Sequence, residues 1–265
     1  MSVPTVYDDN PSPAQRDIWA REQSELKSRL IEVDDLDFKK IILDDKGEKV
    51  EFEGLHYIGG VDVSFVENNE QDAVASLVIL KYPSLEVIYE DFKMVKLKLP
   101  YIAGFLAFRE VQPLLELLNT IRQANPMIFP HIILVDGNGT LHPRRFGLAS
   151  HLGVLANVPT IGVGKNFLHI DDGERMTMSY VKSVVKEALR KGGNSHILQG
   201  DSGMVWGAAV RSLESTTNPI YISVGHRISL ETAISMVLKC CRYRIPEPIR
   251  QADVRSREFI RNHFS

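Results

Sequence analysis

The run Ile132-Ile133-Leu134-Val135 is apolar at every position and mostly β-branched, and it ends at Asp136-Gly137-Asn138-Gly139. So short and uniform a run reads as a strand buried on both faces, as in the middle of a parallel sheet. Helices must then cover both faces, which points to an α/β architecture. Ahead of it, strands are predicted over Tyr57–Val66, Ala73–Tyr82 and Leu85–Met94, the last two joined at Pro83-Ser84. Their short links make them an antiparallel meander. Between meander and apolar strand, Leu106, Leu114, Leu117 and Ile121 share one stripe of a helix over 105–122. Downstream, the pattern predicts helices over 147–155 and 178–191, strands over 160–163, 205–211 and 220–224, and a helix that Ser229 caps and that runs to about Cys240. Upstream, Ser12-Pro13 reads as an N-cap and first-turn proline. Trp19, Gln23, Leu26 and Leu30 then recur along a helix over 13–32.

A meander extended by parallel strands and flanked by helices is the element order of ribonuclease H-like nucleases. The expected division is a disordered start over 1–11, a single domain over 12–241 and a basic extension over 242–265. No apolar run approaches the ~20 residues that span a bilayer, so no membrane partner is expected. The acidic, proline-bearing start does not read as a signal peptide. The two cysteines, Cys240 and Cys241, are neighbours and read as reduced, which suits the cytoplasm, nucleus or nucleolus and excludes zinc sites built on several cysteines. Net charge is −3, but residues 1–53 carry 14 acidic and 8 basic side chains, so the remainder is net positive. Arg242 to Arg261 holds six arginines against Glu247, Asp253 and Glu258. Such a distribution can turn a basic face to phosphates.

Three carboxylates stand where apolar or neutral residues belong. Asp62 lies inside the strand Val61-Asp62-Val63-Ser64-Phe65, on the face it shares with Gly60 and Ser64. An edge strand with a wet face would also accommodate it. Glu110 falls on the Leu106–Leu114–Leu117 stripe that should face the core, where an unpaired carboxylate costs several kcal/mol. Asp136 closes the apolar strand at its carboxyl end, the end at which α/β sheets bind ligands. Three oxygen-donor groups of this kind suit magnesium, which is held by a few carboxylates together with phosphate and water. His226, after the strand over 220–224, is placed with them as a fourth ligand or proton shuttle.

Longer motifs carry a resemblance. Asp136-Gly137-Asn138-Gly139-Thr140-Leu141-His142-Pro143-Arg144-Arg145-Phe146-Gly147-Leu148 and Pro159-Thr160-Ile161-Gly162-Val163-Gly164-Lys165-Asn166 resemble the central signature of endonuclease V. Gly60-Val61-Asp62-Val63-Ser64, Pro100-Tyr101 through Glu110 and Val224-Gly225-His226-Arg227-Ile228 match in order. The resemblance runs from about Tyr57 to Lys239. It implies a ribonuclease H-like fold and hydrolysis of the second phosphodiester on the 3′ side of inosine, leaving a 3′-hydroxyl and a 5′-phosphate. It assigns Asp62, Glu110, Asp136 and His226 to metal binding, with magnesium as cofactor and manganese as a substitute. Two ions about 4 Å apart would clamp the phosphate. It also assigns Lys165 to the scissile phosphate. Gly104, Leu106, Gly137, His142, Gly147 and Leu168 are assigned to the base pocket, and Pro100, Tyr101, Ile102 and Ala103 to a wedge led by the Tyr101 ring.

Bacterial members commonly read Pro-Tyr-Ile-Pro at the wedge. Ala103 replaces the second proline here, which implies a less rigid wedge and weaker opening of duplexes. The arginine-rich end resembles the vertebrate branch, which favours RNA. Inosine-containing single-stranded RNA is therefore the expected partner of a monomeric enzyme, with deoxyinosine-containing DNA as the alternative. Two other readings compete. Gly200-Asp201-Ser202-Gly203 resembles a serine-protease nucleophile loop that His151 or His226 would serve, and a non-catalytic inosine-binding module would use the same pocket.

Overall fold

The computed structural model describes residues 11–44, 49–67, 69–97, 99, 102 and 104–263. Residues 1–10, nearly all of the segment expected to be disordered, lie outside the described residues.

Helix α1 (Pro13–Lys27) starts as expected, with the Ser12 hydroxyl accepting from the Gln15 N–H at 3.2 Å. It stops well short of residue 32. The chain turns after Lys27 because Ile31 is held elsewhere: its carbonyl accepts from the Arg227 N–H and its own N–H donates to the His226 ring. A small hairpin that the sequence reading missed follows, β1 (Lys39–Ile42) and β2 (Val50–Glu53).

The meander is β3 (Tyr57–Val66), β4 (Asn69–Lys81) and β5 (Glu86–Lys96), each antiparallel to the next. Helix α2 (Leu106–Ala124) leads to β6 (Ile132–Asp136), α3 (Leu148–Ala156) and β7 (Thr160–Gly164). Strand β6 lies between β3 and β7 and runs parallel to both. Its side chains alternate between two cores. Ile132 and Leu134 pack with α5 (Leu230–Lys239) and the hairpin, while Ile133 and Val135 pack with α2 and α3. The double burial that its sequence demands is thus met.

Beyond β7 come α4 (Met178–Ala188), β8 (Ser195–Gln199) and the strand pair β9 (Val205–Val210) and β10 (Ile220–His226). The sheet order is β5-β4-β3-β6-β7-β10-β9-β8, with β10 antiparallel to β7. This is the mixed α/β, ribonuclease H-like arrangement: a meander extended by parallel strands and flanked by helices. Edge strand β8 carried no recognised signal.

The segment from Arg242 onward, read in the sequence as a basic extension, contains a long helix, α6 (Glu247–His263), laid across β3 and β4. Ile249, Ala252 and Ser256 form its buried stripe. Strand β3 makes room for it with small residues: a Cβ at Gly60 would lie 2.0 Å from the Pro248 carbonyl oxygen. The Asp62 face of β3 is therefore covered by a helix in the middle of the sheet. It is not the wet face of an edge strand.

Candidate active site

Asp62, from the middle of β3, and Asp136, from the last position of β6, meet at one end of the sheet within hydrogen-bonding reach of each other. Glu110, on the second turn of α2, feels the charge of both. Asp62 and Glu110 are only 8% and 7% exposed. Burial, reinforced by Asp136, raises the Asp62 carboxyl to about 7. Burial raises Glu110 to about 8, with Arg109 opposing and Asp62 and Asp136 adding. Lys165, just past the end of β7, places its Nζ 2.6 Å from Asp136 Oδ2. Burial would lower its pKa, yet the Asp136 and Asp62 carboxylates hold the ammonium above its ordinary range.

A fourth carboxylate belongs to this group. Asp253 of α6 adds to the negative field at both Asp62 and Lys165, and accepts from Arg257 Nε at 2.8 Å. A hydroxyl chain ties the same helix to β3: Ser256 donates to Ser64 Oγ at 2.8 Å, and Ser64 donates to Asp62 Oδ2 at 3.0 Å.

The chemistry of this donor set fits hard divalent cations. It consists of buried and half-buried carboxylate oxygens whose mutual repulsion Lys165, Arg109 and Arg257 offset only in part. Among the described residues no three His, Cys, Asp or Glu side chains stand close enough together to enclose a metal ion.

His226 does not join them. Because β10 runs antiparallel to β7, His226 pairs with Thr160 at the start of β7, while Tyr221 pairs with Gly164 beside Lys165. The histidine is thus a strand length, about 13 Å, from the carboxylate end. Its Nδ1 accepts the Ile31 N–H at 3.3 Å, and burial lowers its pKa to about 4. It is a buried structural histidine, and the expectation that it binds metal or shuttles protons is corrected on that ground.

Beside the carboxylates lies a cavity of about 320 Å³. Gly104, Leu106, His142, Gly147 and Leu168, five of the six residues expected in the base pocket, line it, and Gly137 does not. Gln23 of α1 closes one side. Its Nε2 donates to the carbonyls of Gly104 and Phe146 at 3.3 and 3.2 Å, and its Oε1 accepts from Arg144 at 2.5 Å. The Arg144 guanidinium lies 4.0 Å from the centre of the Phe105 ring. Burial and the neighbouring Arg144 charge lower His142 to about 4, so its ring is neutral at pH 7. Asn138 also lines the cavity, and among the described residues its buried Oδ1 has no hydrogen-bond partner. A buried amide oxygen left unpaired is costly, and this one lies close against Gly164 at the end of β7.

The Endonuclease V family model matches residues 38–254. Mouse Endonuclease V is 48% identical over 253 residues, 96% of this chain and 72% of the mouse protein.

The chain belongs to the Endonuclease V family.

The crystal structure of the human Endonuclease V catalytic domain superposes with a TM-score of 0.86 at 47% identity, covering 96% of this chain and 99% of that one. Endonuclease V of Ciona intestinalis, solved with a 23mer DNA containing an inosine followed by a ribo-adenosine, gives 0.84 at 36% identity, with 95% and 99% covered. The Endonuclease V match ends just past Asp253, so it takes in part of α6. Of the expected wedge, Pro100, Tyr101 and Ala103 lie outside the described residues. Ile102 is half-buried, and its carbonyl accepts the Phe105 N–H.

The protease-like loop has another role. The Ser202 hydroxyl donates to Asp172 at 2.7 Å, and Trp206 Nε1 donates to the same carboxylate oxygen. His151 is buried between Phe108 and Phe146. Sequence reasoning missed Asp253, Asn138 and Gln23. The i, i+3, i+7 spacing of Ile249, Ala252 and Ser256 was a readable helix signal, and it would have set Asp253 beside a buried stripe.

Proposed function

We propose that the chain is a metal-dependent endonuclease that hydrolyses the second phosphodiester on the 3′ side of inosine in single-stranded RNA, leaving a 3′-hydroxyl and a 5′-phosphate. The observation that carries the reading is the meeting of Asp62, Glu110 and Asp136 with Lys165 next to a cavity lined by the expected pocket residues.

The nucleases of this family depend on divalent metal. Asp62, Glu110, Asp136 and Asp253 would hold the cations, and four carboxylates provide oxygen donors for two. When bound, magnesium or manganese supplies Lewis-acid charge to phosphoryl oxygens and acidifies water. Lys165 holds positive charge at the scissile phosphate. In the cavity, Leu106 opens the first turn of α2, where helix N–H groups lack intrahelical partners. That N–H suits O6 of hypoxanthine, and the Asn138 Oδ1 suits its N1–H. Adenine reverses both: it offers an amino donor and an unprotonated N1, leaving two polar pairs unmade at about 1–3 kcal/mol each.

A second reading, cleavage at deoxyinosine in DNA, draws support from the DNA in the Ciona complex. The ribo-adenosine after inosine in that ligand is consistent with a ribose beside the cut, and RNA is placed first. The test is parallel digestion of matched single strands carrying inosine, deoxyinosine or adenosine, with magnesium or with chelator. Cutting is expected at inosine in RNA with magnesium. Turnover in chelator, or equal cutting at adenosine, would overturn the proposal.

A further inference from the structure

A cleft of about 880 Å³ opens beside the loop that follows β7. Lys165, Asn166 and Phe167 of this loop line the cleft, and the next two residues, Leu168 and His169, line the base cavity. The loop is thus a wall common to both, with the Asp136–Lys165 pair at its root.

Six cationic side chains line the cleft, Lys165, Lys182, Lys186, Arg190, Arg211 and Arg244, and among the described residues no acidic one does. Two of them shape it. Arg211 donates to the carbonyls of Arg190 and Thr216, and Arg244 donates to those of Lys165 and Pro219. Lys182, Lys186 and Arg190 have no carboxylate within ion-pair distance among the described residues, and all three are exposed. Lys182 and Lys186 stand one turn, about 6 Å, apart on α4. Beside this basic row, Val181 and Val185 are buried in the core, followed by Leu189, and the last two also floor the cleft. Packing therefore does not require the basic face, and like charges at this spacing repel. A polyanion turns that repulsion into attraction.

We propose that this cleft is the track of the strand downstream of the cut, with Lys182, Lys186 and Arg190 contacting phosphates on its 3′ side. The inference rests on the functional reading above. With the base in its cavity and the scissile phosphate at Lys165, a strand that continues past the cut in the same direction enters the cleft.

The test compares the parent with the Lys182→Ala/Lys186→Ala/Arg190→Ala variant on inosine-bearing single-stranded RNA. The 5′ flank is fixed and the 3′ flank grows from two to about a dozen nucleotides. For the parent, KM is expected to fall about tenfold as the 3′ flank grows. For the variant it stays flat, with kcat on the short substrate and the melting temperature unchanged. The salt dependence of binding should weaken by about 2 in log–log slope, from three lost contacts at ~0.7 each. Persistence of the 3′-length effect in the variant, its absence in the parent, or a loss that follows the 5′ flank overturns the proposal. Anisotropy of the labelled strands in chelator provides an arm that needs no turnover. Equal affinity of parent and variant for the long 3′ flank would refute the cleft assignment even if the parent cut nothing, an outcome that by itself refutes only the functional reading.

Discussion

Lys165 Nζ lies 2.6 Å from Asp136 Oδ2, joining the ends of two neighbouring parallel strands across the centre of the site. This ammonium sits directly against the acid cluster, and the proposed reaction gives it work at the phosphate. Lys165→Ala is expected to lower kcat about 100- to 1,000-fold, in the range of a lost transition-state contact. Single-turnover kinetics measures it, and circular dichroism checks that the fold persists.

His226 lies at the opposite sheet end and accepts a hydrogen bond from Ile31. His226→Gln should therefore keep kcat within a few-fold of the parent. It should lower stability by about 1–2 kcal/mol through the lost buried contact. Urea unfolding and steady-state turnover, run side by side, separate the two effects. A collapse of kcat at unchanged stability would return the histidine to the chemistry.

Asp62 couples the site to pH. Its folded-state pKa, about 7, is raised from 3.8, so the folded protein holds a proton that the unfolded chain releases. The stability this confers is present in full below 3.8 and is lost as pH rises through about 7. In chelator, Asp62→Asn is expected to be more stable than the parent at pH 8, by on the order of 2–4 kcal/mol. The gap should close towards pH 4. Denaturation midpoints across that interval test the sign.

Asn138 lines the base cavity, and among the described residues its buried Oδ1 has no hydrogen-bond partner. Asn138→Leu removes that acceptor at similar volume. The expected result is a fall in the inosine-over-adenosine preference by about tenfold, the worth of one hydrogen bond. Competition between the two strands in one digest gives the ratio directly.

Gly60 lets α6 approach β3, and a methyl group there would collide with the Pro248 carbonyl. Gly60→Ala should cost about 2–4 kcal/mol. It should also cut activity in the remaining folded protein, because displacing α6 moves Asp253. Recovery of full kcat in a folded Gly60→Ala protein would show that α6 holds nothing the reaction uses.

Much of this architecture was legible in residue order. The periods of Ile132–Asp136, the meander and α2 are local properties, and each element forms within a few residues of where its pattern placed it. The edge strand β8 was not legible, since a short half-exposed run alternates too weakly to announce itself. Glu110 stood out because a charge on an apolar stripe is anomalous in any fold.

Residue order alone set the elements and singled out three carboxylates, because hydrophobic periodicity and misplaced charge are written into neighbouring residues. Which groups meet was settled by the packing of distant segments. The direction of β10 carries His226 away from the acids, and the docking of α6 onto Gly60, Asp62 and Ser64 brings Asp253 to them. Strand direction and helix docking are settled by contacts between segments up to some 190 residues apart, and no local pattern encodes them.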